Sequence, residues 1–123
     1  MEQGFTLVLP SDSATPKAAR TAVAEHYGHH ARCGELLLCV SEVVTNAVLH
    51  ARSAPTMTVH READILTVEV SDDDPTEPVR RSHSTTATTG RGLRILDDLT
   101  IRWGTRRTAE GKIVWFEFDL AAA

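Results

Sequence analysis

Cysteine is scarce in this chain, aromatic side chains are few, neither sign of charge dominates, and no apolar run exceeds a few residues. Each shortage removes a class of protein. Two cysteines, Cys33 and Cys39, cannot build a disulfide framework and match no metal-ligand spacing. Thirteen basic residues against 17 acidic ones leave a net charge of -4, which gives no field to hold a nucleic-acid backbone. The basic pair Arg80-Arg81 is too short to change that. With no signal-like or membrane-length apolar segment, a cytoplasmic protein without a membrane partner is expected.

What is present suffices for one folded unit. A length of 123 residues leaves room for one core, and a hydrophobic fraction of 41% is enough to fill it. Residues 1–123 are therefore read as a single domain. Phe5, Leu7 and Leu9 alternate on one face of a short edge strand that stops at Pro10. Thr15 followed by Pro16 predicts a helix start, with Thr15 as the cap and Gly28 as the stop.

Gly34 to His50 carries the strongest helical pattern. Leu36, Val40, Val43 and Ala47 make one stripe, with Leu37, Val44 and Val48 beside it. Its other side carries Glu35, Cys39, Glu42, Asn46 and His50, which by composition alone reads as a solvated face. Residues 56–61 and 65–71 predict a hairpin turning near Glu62-Ala63-Asp64, and period two places Asp72 on the inward face with Val68 and Val70. After a Ser/Thr-rich stretch, a short helix begins near Gly92. Strands over 101–107 and 112–120 follow, the second with Val114, Phe116, Phe118 and Leu120 on one face. Strands on one side and helices covering one face predict a two-layer α/β sandwich.

Three places could carry chemistry. Glu42 and Asn46 lie one turn apart. A carboxamide oxygen can ligate Mg²⁺ and a neighbouring carboxylate can accept a proton from an attacking hydroxyl, although the spacing does not compel either role. An inward Asp72 at a strand end stands at a pocket mouth or caps a backbone turn; in the first case it can accept from the exocyclic amine of adenine. Gly90-Arg91-Gly92 ahead of a helix supplies either a tight turn or amides that hold phosphate, with Arg91 reaching phosphate or solvent.

The order of these pieces is more specific than any one of them. The text Ser41-Glu42-Val43-Val44-Thr45-Asn46-Ala47-Val48-Leu49-His50, then Val68-Glu69-Val70-Ser71-Asp72, then Thr89-Gly90-Arg91-Gly92-Leu93-Arg94-Ile95-Leu96, resembles the GHKL ATPase superfamily. With Arg102-Trp103-Gly104 and Lys112-Ile113-Val114-Trp115 closing the chain, it is most similar to small actinobacterial ATP-binding proteins of the anti-sigma-factor serine/threonine kinase type. The resemblance implies a Bergerat fold, a mixed and mostly antiparallel sheet covered on one face by helices, with a lid loop at about 75–91. It implies that Asn46 coordinates the Mg²⁺ that bridges the ATP phosphates and that Glu42 is the general base. Asp72 would bind the adenine amine, and Gly90, Arg91, Gly92 and Leu93 would hold phosphate. His50 and Arg94 lie near such sites without an assigned role.

The chain departs from the superfamily pattern after Asp72, where Asp74 and Thr76 stand at positions usually held by glycine and Asp73 adds negative charge. Looser contact with the base and weaker nucleotide binding are expected. The implied activity is transfer of the γ-phosphoryl group of ATP to a small antagonist protein, within a partner switch that sequesters or releases a sigma factor. Pairing of two copies is also implied. The alternative is a nucleotide-binding interaction module with little or no turnover. A catalytic domain acting on a phospho-acceptor histidine is disfavoured, because neither a dimerisation helix pair nor an acceptor region is expected in so short a chain.

Overall fold

A computed structural model describes residues 3–10, 12–50, 54–73 and 94–121, with side-chain detail for all of these but Gln3, Leu49 and His50. Its elements run β1 (Gln3–Val8), α1 (Thr15–Tyr27), α2 (Cys33–His50), β2 (Thr56–Glu62), β3 (Ile65–Asp72), β4 (Arg102–Arg107) and β5 (Lys112–Asp119). A short helical segment over residues 94–99 precedes β4. The five strands form one sheet in the order β1-β2-β3-β5-β4, and every pairing between them is antiparallel. The expected two-layer α/β sandwich of Bergerat type is what forms.

Period two sorts the strands into two faces. Met57 and Val59 of β2, Leu66, Val68 and Val70 of β3, and Val114, Phe116 and Phe118 of β5 are all buried. They meet Leu36, Val40, Val43, Val44 and Ala47 of α2 in one core, joined by Ala19, Val23 and Tyr27 of α1. The predicted stripe of α2 is thus the stripe that packs. Phe116 and Phe118 are fully enclosed, so truncating either to alanine is expected to cost about 3–5 kcal/mol. The opposite face of the sheet carries surface ion pairs, Arg102 with Glu117 at 2.8 Å and Arg106 with Glu69 at 3.1 Å.

Two local expectations need correction. Thr15 does not cap α1: Ala14 holds the cap position without a side-chain bond, and Thr15 begins the helix. The reason is Asp12, whose Oδ1 accepts from the Ala14 amide at 2.8 Å and turns the chain into the helix. Thr15 Oγ1 then accepts from the Asp12 amide at 3.2 Å and donates back to the Asp12 carbonyl at 2.8 Å. Nor is the polar side of α2 simply solvated. Cys39 is wholly buried, and Glu42 and Asn46 are half-buried.

Arg32 fixes the direction of α2. Just before the helix, its Nη1 donates to the Asp119 carbonyl at 2.7 Å and its guanidinium stacks 4.3 Å from the Phe118 ring centre. Asp119 pairs with Ile65, at the start of β3. The helix therefore begins at the Ile65 end of the sheet and runs toward the Asp72 end. Arg20 Nη1 donates to Ser41 Oγ at 3.0 Å and ties α1 across its middle.

Candidate functional site

Two charged side chains sit on the helix-covered face, both placed there by strand alternation. Asp72 ends β3 in phase with Val68 and Val70; Lys112 begins β5 in phase with Val114 and Phe116. They are direct partners in the antiparallel register. Lys112 Nζ donates to Asp72 Oδ1 at 3.1 Å, with only 2% and 0% of the two side chains exposed. Burying either charge alone would be costly, and the pairing offsets that cost.

The backbone around Asp72 is held as firmly as its side chain. Gly111 packs against the Asp72 carbonyl oxygen, and a Cβ at that glycine would lie 2.7 Å from the Asp73 carbonyl carbon. The turn that brings it there is closed by Thr108, whose amide donates to the Gly111 carbonyl at 2.9 Å and whose Oγ1 accepts from the Gly111 amide at 3.0 Å. Glycine is needed here because any side chain would enter the neighbouring strand's backbone.

The second part of the site lies on the half of α2 that runs toward the Asp72 end. Burial pushes the Glu42 carboxyl above the ordinary carboxylate value. One turn on, Asn46 Oδ1 is buried and accepts no hydrogen bond among the described residues. An amide oxygen shut from water without a donor is a costly arrangement in a folded protein. It is also a hard oxygen of the kind that Mg²⁺ takes as ligand, so the residue present fits the metal that the sequence implied. Cys39, one turn before Glu42 on the same side, has its thiol pushed up to about 12, chiefly by burial, and is chemically inert.

Of the residues singled out from the sequence, Glu42, Asn46 and Asp72 fall on the helix layer and on the sheet face that it covers. Gly90, Arg91, Gly92 and Leu93, the lid at about 75–91 with Asp74 and Thr76, and the His50 side chain lie outside the described residues. Arg94 lies in the short helical segment and is exposed. Lys112 is the site residue that the sequence reading missed, although the alternation that turned Asp72 inward does the same for Lys112.

A cleft of about 350 Å³ also touches Asp72 and Asp73. Its lining by Thr56, Ser71 and Ile113, which alternate away from the buried face, puts it on the far side of the sheet from α2. It is separate from the Glu42–Asn46 surface. No described helix is long and apolar enough to cross a membrane.

Comparison with known proteins agrees with this geometry. The family profile described as the histidine kinase-like ATPase domain matches residues 9–118. Among solved structures, the histidine kinase domain of the Erythrobacter litoralis EL346 blue-light activated histidine kinase superposes with a TM-score of 0.59. That match has 21% identity and covers 88% of this chain and 60% of the other. Acinetobacter baumannii histidine kinase AdeS gives a TM-score of 0.60 at 7% identity, covering 96% of this chain and 68% of that one. At such identities the likeness is one of fold. This chain spans about three fifths of the length of the blue-light kinase domain. No curated protein matches in sequence. The profile match extends over most of the chain, from just after β1 to the penultimate residue of β5, and the chain belongs to the histidine kinase-like ATPase domain family.

Proposed function

We propose that this domain binds Mg-ATP between α2 and the Asp72 end of the sheet and acts as a serine/threonine protein kinase of the anti-sigma-factor type. Its substrate would be a small antagonist protein in a partner switch that controls a sigma factor. The observation that carries the reading is Asn46 Oδ1, buried without a donor one turn from a half-buried Glu42. A helix stabilised only by its core contacts has no need of an orphaned acceptor at that place.

Asn46 would hold the metal through that oxygen, and Asp72 would accept from the adenine amine. When bound, Mg²⁺ neutralises charge on the β- and γ-phosphates. Glu42 would take the proton from a serine or threonine hydroxyl as its oxygen bonds to the γ-phosphorus. The bond from that phosphorus to the β-γ bridging oxygen then breaks, and ADP leaves. A carboxyl raised by burial is better matched to this work near neutral pH than an ordinary one. Gly90, Arg91, Gly92 and Leu93 would supply amides and charge to the phosphates, as the resemblance implies.

A nucleotide-binding interaction module with little turnover is the second reading, favoured by Asp73, which adds a carboxylate beside Asp72 at the strand end. The two readings part on one experiment. Purified wild-type protein and Glu42→Gln are each incubated with Mg-ATP and with an antagonist-type protein encoded near the gene. A kinase with Glu42 as base phosphorylates the antagonist in the wild type and loses transfer, while keeping ATP binding, in the variant. Saturable binding with no transfer in either protein favours the module.

A further inference from the structure

The buried pair at the strand ends has a use beyond holding the sheet. An apolar residue at 112 would continue the run of Val114, Phe116 and Phe118, and it would avoid the cost of desolvating an ammonium. Instead Lys112 Nζ stands 3.1 Å from Asp72 Oδ1, with neither side chain more than 2% exposed. We propose that Lys112 is a positioning residue for base selectivity, its ammonium presenting the Asp72 carboxylate as a fixed acceptor for a 6-aminopurine. This rests on the reading above that Asp72 meets the base.

The chemistry turns on what a carboxylate can accept. An ionised carboxylate accepts through about four lone pairs and donates nothing, so a bond from Nζ to Oδ1 does not by itself use up its acceptor capacity. An exocyclic amine at the purine 6-position offers it an N–H. A purine with only hydrogen at that position offers it no N–H there. Without the ammonium the carboxylate is no longer held in that place, and the advantage of the amine-bearing base is lost. The ammonium at Lys112 therefore decides which purine Asp72 reads, although it does not touch the base itself. Gly111 supports the same arrangement from the backbone side, by closing directly on the Asp72 carbonyl.

The test is calorimetric titration of the intact chain with ATP and with purine riboside triphosphate, both with Mg²⁺ present. These nucleotides differ only in carrying an amine or a hydrogen at the 6-position. Wild type is expected to favour ATP by about 10- to 100-fold, the range of one charge-assisted hydrogen bond made or refused. Lys112→Met is expected to reduce that preference to below about 3-fold, on the same scale, and Lys112→Arg to restore most of it. Circular dichroism and thermal melting establish that each variant is folded. A lysine that served only the fold would weaken both nucleotides together, so an unchanged ratio in folded Lys112→Met overturns the proposal. If that variant does not fold, Lys112→Gln keeps an N–H donor without the charge and carries the same comparison: a reduced ratio supports the proposal and a wild-type ratio overturns it. Equal affinity of the wild type for the two nucleotides overturns the selectivity role and leaves ATP binding standing. Binding of neither nucleotide overturns both.

Discussion

Gly111 lies so close to the backbone of Asp72 that a single added methyl group would enter the Asp72 carbonyl oxygen and come within 2.7 Å of the Asp73 Cα. The turn between β4 and β5 is thus part of the support for the strand end on which the nucleotide reading depends. Gly111→Ala is expected to cost about 1–3 kcal/mol by overpacking. It should also weaken ATP binding by shifting Asp72. Urea denaturation and calorimetric titration check the two effects; wild-type values in both would show that this contact does not position Asp72.

At the other end of the sheet, the β2–β3 hairpin turns through Ala63, which has a φ of 55°. This left-handed conformation disfavours a Cβ and suits glycine. Ala63→Gly is expected to stabilise the protein by about 0.5–1 kcal/mol, with ATP affinity unchanged because the turn is remote from Asp72. A lower melting temperature for the variant would contradict the turn geometry.

Glu42 gives a pH dependence with a definite sign. Its folded-state carboxyl is raised above the ordinary 4.5 by burial, whereas the unfolded chain titrates near that ordinary value. The stabilisation belonging to the neutral form is therefore fully present below 4.5 and is lost as pH rises through the folded value. Glu42→Gln should be more stable than wild type at pH 7, with the difference vanishing in acid. Denaturation midpoints across that range measure it, and a variant less stable than wild type at neutral pH would show that the charged form makes a favourable contact.

The thiols provide an independent check on the α2 packing. Burial raises Cys33, and it pushes Cys39 up to about 12 with small additions from Glu35 and Glu42 against the pull of Arg32. Neither thiol should react quickly with a disulfide reagent at pH 8 in the native protein, and both should react once guanidinium unfolds it. Rapid native reaction of Cys39 would mean that the side of α2 carrying Cys39 and Glu42 is open to solvent.

Element boundaries were legible in the sequence to within one or two residues, because apolar periodicity sets them locally. Leu36, Val40, Val43 and Ala47 mark the packed stripe of α2, and Val114, Phe116 and Phe118 the inward face of β5, as alternation requires. Strand order was less legible. That β3 pairs with β5, and not with β4, depends on contacts made only when distant segments meet. The same limitation hid Lys112: its phase was readable, but its partner Asp72 is forty positions away and is revealed only by the register. Glu42 and Asn46 were singled out, yet their burial was not foreseen, since a polar stripe usually faces water and here only packing removes it. Thr15 is not the cap of α1 because its hydroxyl bonds the Asp12 backbone while Asp12 Oδ1 takes the Ala14 amide, an exchange that only the folded turn reveals.

Asn46 is proposed to complete a metal-dependent nucleotide site. That role is tested most directly by calorimetric titration of the wild-type protein and of Asn46→Ala with ATP, in the presence and absence of Mg²⁺. Saturable wild-type binding that requires Mg²⁺, and that disappears in a folded Asn46→Ala, is the predicted result. Unchanged affinity of the variant for Mg-ATP, or no wild-type binding at millimolar ATP, would contradict it.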